Sequence, residues 1–238
     1  MIRPPDTAAL LLLAKAPVPG RAKTRLCPPA TPAEAALIAA AALLDTLDAV
    51  RAVPGALGLV AWTGRLADAP RRAELRAALA GLAVFAQRGD RLGERIALAH
   101  AAAASRLPGR PVLQIGMDTP QLRATDLTDA LAPLRAPHGP DAVLGPAYDG
   151  GWWALGLRDP RAARVIAAVP TSRPDTGERT LRALRTAGLD VALLPEMRDV
   201  DTAEDALSVA ASAQAEATAA RFVAAVSDVL SPLPGATR

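Results

Sequence analysis

The chain has 238 residues, of which 51% are hydrophobic and 3% aromatic, and a formal net charge of +3. This length suits one α/β domain with a sizeable core, while the mild charge and the lack of a basic block with interleaved aromatics argue against a nucleic-acid partner. Because the chain has one cysteine and no apolar run as long as a membrane helix, we expect a cytoplasmic protein without disulfides, thiolate metal sites or membrane contact.

Short apolar runs alternate with helical patterns along the chain, and polar turns end the runs. The predicted strands are 8–14, 57–62, 82–85, 111–115, 141–144, 152–157 and 191–194. The predicted helices are 31–50, 69–79, 96–104, 124–134, 179–186 and 203–229. This alternation predicts an α/β fold with a mostly parallel sheet covered on both faces. The Asp-Gly-Gly turn at 149–151 predicts that the following strand returns antiparallel.

The most informative stretch is the loop after the first strand. It contains Pro19, Gly20 and four cations, which are Lys15, Arg21, Lys23 and Arg25. Proline stiffens a loop, glycine lets its backbone approach a ligand, and cations bind phosphate oxygens. The chain has 27 lysines and arginines, yet both of its lysines are here, as expected of a site that needs a compact point charge. We therefore predict a phosphate-binding loop at the carboxyl end of the first strand, with a solvated loop of chance composition as the alternative.

Two common phosphate-binding motifs do not fit this loop. A Walker loop needs a glycine directly before the lysine, whereas Ala22 precedes Lys23. A dinucleotide-binding turn needs three spaced glycines, and this loop has one. The loop is therefore expected to bind phosphate in another way.

Several aspartates follow later strands. Asp118 comes directly after the fourth strand and is a candidate ligand for Mg²⁺ or Mn²⁺, or else a cap for the next helix. Asp201 is the expected second ligand, with Asp199 as the alternative, since both follow the last strand. Asp201 could equally cap the helix after it, with Glu204 completing a capping box. Asp149 is a candidate general base, or simply a residue that favours a hairpin turn.

The remaining unusual residues have simpler explanations. One of Trp152 and Trp153 should face the core, because neighbouring strand residues point to opposite faces. His100, in an alanine-rich helix, and His138, in a turn, are interpreted as structural or solvated. Cys27 has no nearby histidine in the sequence and is interpreted as a buried apolar residue.

Five motifs follow one another in order. They are K-x-P-x-P-G-R-x-K-T-R-L at 15–26, G-D-x-L-G-x-R at 89–95, G-x-D-x-P at 116–120, G-P-x-x-D-G-G at 145–151 and R-D-V-D-T at 198–202. Together they resemble the bacterial radical-SAM/selenodomain-associated transferases, a branch of the nucleotide-diphospho-sugar transferase superfamily, over residues 8–207. The resemblance implies a single transferase domain of the GT-A, Rossmann-like type over 1–207, followed by an alanine-rich helix and frayed tail over 208–238.

The resemblance also implies binding residues. Asp90, Gly93 and Arg95 correspond to a family segment near the base or ribose, with a solvated helix cap as the alternative. Relatives hold a metal with an aspartate at a turn similar to that of Asp118. The chain departs from the family pattern at Met117, where a small polar residue is usual, at Trp152, where tyrosine is common, and over 170–174. These departures leave the specificity for the acceptor open.

The expected activity is metal-dependent glycosyl transfer from a nucleotide sugar to a small-molecule acceptor. The cations of the loop would neutralise the diphosphate, with Arg21 and Lys23 as catalytic candidates, Asp118 and Asp201 as metal ligands and Asp149 as the base. The alternative is a nucleotidyltransferase of the guanylyltransferase type, which joins a nucleoside triphosphate to a phosphorylated small molecule and releases pyrophosphate. A second alternative is a nucleotide-binding protein without catalysis. The sequence leaves the base, the sugar, the acceptor and the stereochemistry open, and the terminal helix could pair with a second copy in a homodimer.

Overall fold

The computed structural model describes residues 7–230 of the chain, so the predicted frayed tail over 231–238 lies outside the described residues. The strands are β1 (Ala8–Lys15), β2 (Ala56–Thr63), β3 (Ala83–Ala86), β4 (Val112–Ile115), β5 (Ala142–Pro146), β6 (Trp152–Leu157) and β7 (Val191–Leu193). They form one sheet in the order β3-β2-β1-β4-β6-β5-β7. Only β6 is antiparallel to its neighbours β4 and β5 among these described strands, which confirms the mostly parallel sheet and the predicted return after 149–151.

Helices cover both faces of the sheet. They are α1 (Pro32–Ala52), α2 (Arg72–Leu79), α3 (Leu92–Arg106), α4 (Ala124–Arg135), α5 (Thr176–Thr186), α6 (Ala203–Ala215) and α7 (Ala220–Leu230). The central strand β1 is buried up to Lys15 and serves two cores, since Leu10 and Leu12 pack on one face and Leu11 and Leu13 on the other. No described helix is long and apolar enough to cross a membrane. The alternating pattern of the sequence thus produces the α/β fold that it predicts.

The predicted single helix over 203–229 is wrong, because the chain forms α6 and α7 with a reversal between them. Ala217 and Ala219 have left-handed backbone with φ of 53° and 49°, and α7 folds back onto α1. The fully buried Phe222 joins a third core, and its backbone N–H donates to Asp45 Oδ2 at 2.8 Å. The high helix propensity of alanine is a local preference, and burial of the apolar face of α7 outweighs it. The expected domain boundary after residue 207 falls inside α6.

Other element bounds differ by a few residues. The helix predicted over 179–186 begins at Thr176, and the helix predicted from 69 begins at Arg72. A 3₁₀ segment, Pro160–Ile166, was not predicted and packs against α3. Proline at its start and the short length hide this segment from a test for helical periodicity.

His100 is a fully buried polar residue of α3, and neither ring nitrogen has a hydrogen-bond partner of normal geometry among the described residues. Burial lowers the pKa of His100 from 6.5 to about 4, and the nearby amide of Gln114 opposes this shift. The unfolded chain therefore binds a proton that the folded chain excludes between these pH values. We expect the free energy of unfolding to fall as the pH drops from 6.5 to 4, by about 3 kcal/mol in total from this residue.

Urea unfolding of the wild type and of a His100→Leu variant between pH 4 and 7 measures this contribution. The difference between the two profiles isolates His100 from opposing groups such as Asp199, whose raised pKa of about 6 adds stability as the pH falls. Parallel profiles would contradict a neutral, buried His100.

Candidate active site

A cavity of about 720 Å³ lies at the carboxyl ends of β1 and β4 and at the start of β6. Charged residues line one part of it, and these are Lys15, Lys23, Arg25, Asp118, Asp149, Arg173, Asp199 and Asp201. Apolar side chains and one amide line another part, and these are Leu13, Leu92, Ile96, Gln114 and Trp152. The cavity therefore joins a region for anionic and metal-binding groups to a region for carbon atoms, at the edge where open α/β sheets bind ligands.

Lys23 lies at the centre of the charged part. The loop before it forms a compact turn in which the N–H groups of Arg21 and Ala22 both donate to the carbonyl of Val18, and Lys23 itself has left-handed backbone with φ of 50°. The Lys23 side chain is only 8% exposed, and its Nζ lies 2.8 Å from Asp118 Oδ1 and 3.2 Å from Asp201 Oδ1. Burial alone would lower the pKa of Lys23, but the two carboxylates outweigh it and raise the pKa, so the ammonium stays charged.

The other predicted residues of the loop are placed differently. Arg25 donates to Asp201 Oδ2 at 2.9 Å and faces the cavity, as does the exposed Lys15. Pro19, Gly20 and Arg21 are exposed and do not belong to the cavity wall in the described chain. Their part in phosphate binding stays a prediction.

The acidic residues converge from three segments. Carboxylate oxygens of Asp149, Asp199 and Asp201 all lie within 4.8 Å of one another. The backbone N–H of Val200 donates to the carbonyl of Asp118 at 2.8 Å, which ties the turn after β4 to the segment after β7. Burial, and then the charges of Asp149 and Asp201, raise the pKa of Asp199 to about 6. Three carboxylates in this arrangement suit Mg²⁺ or Mn²⁺, which prefer oxygen ligands.

This arrangement differs from the predicted pairing of Asp118 with Asp201. Lys23 Nζ lies between these two carboxylates, whereas Asp149, predicted as a base, belongs to the acidic group. The capping alternatives for both metal candidates are wrong. Arg123 occupies the N-cap position of α4, where its backbone N–H donates to Asp126, and Thr202 caps α6 together with Asp205. Which carboxylates hold a metal therefore remains a prediction, with Asp199 now placed as favourably as Asp201.

Asp149 also has a local role. Its Oδ1 accepts from the N–H of Gly151 at 2.7 Å, so the residue stabilises the turn between β5 and β6. Gly150 has φ of 82°, and a Cβ on it would lie 1.8 Å from the carbonyl of Pro174. The turn therefore packs directly against the 171–176 segment, and the two together form one wall of the cavity.

The 89–95 segment has a structural explanation. Arg95 Nε donates to the carbonyl of Gly89 at 2.9 Å, and the N–H of Asp90 donates to Glu94 Oε2 at 3.1 Å. A Cβ on Gly93 would lie 2.7 Å from the carbonyl of Ile166, so this glycine allows α3 to pack closely. Asp90, Gly93 and Arg95 do not line the cavity within the described residues. Their predicted contact with a base or ribose stays a prediction.

Tryptophan placement agrees with the expectation that one ring faces the core. Trp153 is 4% exposed and its Nε1 donates to the carbonyl of Pro195 at 3.0 Å, whereas Trp152 lines the cavity. Met117, one of the departures from the family pattern, is buried at the cavity, and its Sδ accepts from the N–H of Lys15 at 3.3 Å.

Sequence reasoning missed part of the cavity wall, namely Leu13, Ile96, Gln114 and Thr176. Most of these residues are ordinary members of strands, helices or turns. Gln114 is different, since a polar residue inside the short apolar strand β4 is unusual when helices cover both faces of the sheet. A glutamine at this position could therefore have indicated from the sequence that one face of β4 borders a cavity.

The fold and the cavity define the class of protein. A crystal structure from Desulfovibrio desulfuricans G20, described as a proposed nucleotide-diphospho-sugar transferase, superposes with a TM-score of 0.76 at 28% identity, covering 87% of each chain. The chain is accordingly a transferase with a nucleotide-diphospho-sugar transferase-like fold.

Sequence comparisons identify the family. The model described as "Uncharacterized protein conserved in bacteria (DUF2064)" matches residues 46–173. The chain is 33% identical to the 3-phospho-D-glycerate guanylyltransferase of Phenylobacterium zucineum (strain HLK1), covering 79% of this chain and 84% of that protein. It is 32% identical to the phosphoenolpyruvate guanylyltransferase of Nocardia farcinica (strain IFM 10152), covering 78% of each. The chain belongs to the DUF2064 family, and these matches give no sign of the radical-SAM association that the motifs suggested.

Proposed function

We propose that this transferase is a nucleotidyltransferase, which joins a nucleoside triphosphate to a small phosphorylated organic acid. The observation that carries the proposal is Lys23, a buried ammonium 2.8 Å from Asp118 and 3.2 Å from Asp201 in the cavity. It is supported by two relatives that are named guanylyltransferases and that match this chain over most of their length. These names favour the nucleotidyl alternative over the glycosyl transfer expected from the sequence. Guanosine triphosphate is the first donor to test.

In the proposed reaction a phosphate oxygen of the acceptor attacks the α-phosphorus of the triphosphate. The bond from that phosphorus to the oxygen bridging the α- and β-phosphates breaks, and pyrophosphate leaves with the electron pair. The acceptor phosphate is already ionised at neutral pH, so the reaction needs no strong base. Asp149 is then free to act as a ligand or turn residue.

The cations would hold the triphosphate and stabilise the charge that develops on pyrophosphate. Lys23 is fixed by its two carboxylate partners, while Lys15 and Arg25 extend the positive surface along the cavity. Preorganised charge of this kind stabilises a transition state without reorganisation. Lys23 is accordingly the catalytic cation of the proposal.

Asp149, Asp199 and Asp201 would hold Mg²⁺ or Mn²⁺. Asp118 is linked to this group by Lys23, whose ammonium contacts both Asp118 and Asp201. The bound ion would supply a positive charge for the phosphate oxygens of the donor and acceptor. The three carboxylates line the same cavity as Lys23, and Asp201 lies 3.2 Å from Lys23 Nζ, so an ion held there would be close to this cation.

A pyrophosphate-release assay tests the proposal. Purified protein is incubated with Mg²⁺ or Mn²⁺, one of GTP, CTP or UTP, and either 3-phospho-D-glycerate or phosphoenolpyruvate. We expect pyrophosphate release that requires both the acid and the metal. Release of a nucleoside diphosphate from nucleotide sugars, with no pyrophosphate from any triphosphate, would favour glycosyl transfer. Nucleotide binding without turnover of either kind would favour a non-catalytic protein.

A further inference from the structure

Among the described residues that line the cavity, Gln114 provides the side-chain amide. Gln114 lies in β4, whose side chains alternate, so that Leu113 and Ile115 enter one core while Gln114 points to the face covered by α3. Gln114 is 3% exposed and lines the cavity together with Leu13 and Ile96. The amide is thus buried in the protein and yet reaches the cavity.

The two ends of this amide have different surroundings. Oε1 is buried and has no hydrogen-bond partner of normal geometry among the described residues. Nε2 likewise donates to no described residue, but it is not among the buried unpartnered atoms, so it is the polar end that meets the cavity. His100 is fully buried beside this amide; burial lowers the pKa of the imidazole, and hydrogen bonding to Gln114 raises it by a smaller amount. The amide oxygen and His100 therefore account for each other, whereas Nε2 keeps no described partner.

The interaction with His100 accounts for one end of the amide and leaves Nε2 unexplained. A buried polar group without a partner costs free energy, and a leucine or methionine of similar size would fill the same space beside Leu13 and Ile96 without that cost. Leu13 and Ile96 belong to the core on the α3 side of the sheet, and Trp152 packs against that core, so the amide has apolar neighbours in the cavity wall. A ligand atom that pairs with Nε2 would account for the amide.

We propose that Gln114 determines specificity for the acceptor by donating its Nε2–H to an oxygen on the carbon skeleton of a small phosphorylated organic acid. The inference rests on the proposed function. The phosphate of such an acid belongs in the charged part of the cavity, near Lys23 and Arg25, and its carbon atoms belong between the apolar walls. One uncharged donor suits a single oxygen of the acid, whereas the edge of a nucleobase presents several donors and acceptors and requires more partners.

Kinetics of Gln114→Met test this assignment, since methionine has similar volume and no N–H donor. We expect the KM for 3-phospho-D-glycerate or phosphoenolpyruvate, whichever the wild type uses, to rise ~10- to 100-fold, and the KM for GTP to change less than about 2-fold. Gln114→Asn, which keeps a shorter amide, should lie between the two. A rise in the KM for GTP alone would assign the amide to the nucleotide, and unchanged constants for both substrates would leave it a packing residue; each result overturns the proposal.

A binding measurement separates this inference from the proposed function. Calorimetric titration of the same two acids into wild type and Gln114→Met, with Mg²⁺ and without nucleotide, needs no turnover. If wild type releases no pyrophosphate with any triphosphate but binds an acid ~10-fold more tightly than Gln114→Met, the nucleotidyl proposal fails and the role of Gln114 stands. If wild type binds neither acid and turns over neither, the assignment of Gln114 is overturned.

Discussion

Replacing Lys23 by methionine is expected to lower kcat/KM for nucleotidyl transfer by about 10³-fold, because the variant loses the fixed charge that would stabilise the departing pyrophosphate. The Lys23 ammonium is held at 2.8 and 3.2 Å from Asp118 and Asp201, and methionine keeps the shape of the side chain but not its charge. Lys23→Arg should recover little of the activity. Its broad guanidinium cannot replace a compact ammonium in a position that is 8% exposed.

Loss of folding must be separated from loss of chemistry. The Asp118 and Asp201 side chains are 41% and 33% exposed, so water can hydrate them once Lys23 is gone. We therefore expect the Tm of Lys23→Met to change by less than about 5 °C. Arg72→Met, which removes an exposed cation from α2, is the matched control and should keep wild-type activity. A Lys23→Met protein that folds and retains most of its activity would contradict the proposed role of the loop.

The position of Lys23 could be predicted because the signal is local. A cationic loop directly after a buried strand lies at the carboxyl edge of a parallel sheet, and aspartates after other strands reach the same edge. Asp118 and Asp201 contact Lys23 because all three residues follow strands that end at this edge. The sequence could not predict which of these side chains contact one another at the edge. Their contacts depend on the twist of the sheet and on the position of β6 between β4 and β5.

The features that sequence reasoning missed depend on tertiary contacts. The break between α6 and α7 follows from burial of Phe222 against α1, which outweighs the helix propensity of the alanines. The role of Gln114 depends on which face of β4 it occupies and on what covers that face. Periodicity identifies a strand but does not tell which side of it lines a cavity.

The second large effect is expected from the acidic group. Replacing Asp199 or Asp201 by asparagine removes one negative charge from the three carboxylates proposed to hold the metal, whose oxygens lie within 4.8 Å of one another. We expect each variant to raise the Mg²⁺ concentration for half-maximal pyrophosphate release at least ~10-fold and to lower kcat/KM by about 10²- to 10³-fold. Asp129→Asn, on the exposed face of α4, is the matched control and should behave like wild type.

Asp149→Asn decides between the two roles considered for that residue. If Asp149 is a metal ligand, as its place in the acidic group favours, the variant requires more Mg²⁺, and saturating metal restores much of the rate. If Asp149 is a general base, the rate falls ~10²- to 10⁴-fold at every metal concentration while the requirement for metal stays unchanged. Titrating Mg²⁺ in the pyrophosphate assay separates the two outcomes. A higher requirement for Mg²⁺ would agree with nucleotidyl transfer, because an acceptor phosphate is already ionised at neutral pH. A rate lowered at every Mg²⁺ concentration would favour glycosyl transfer, in which a base must deprotonate the acceptor.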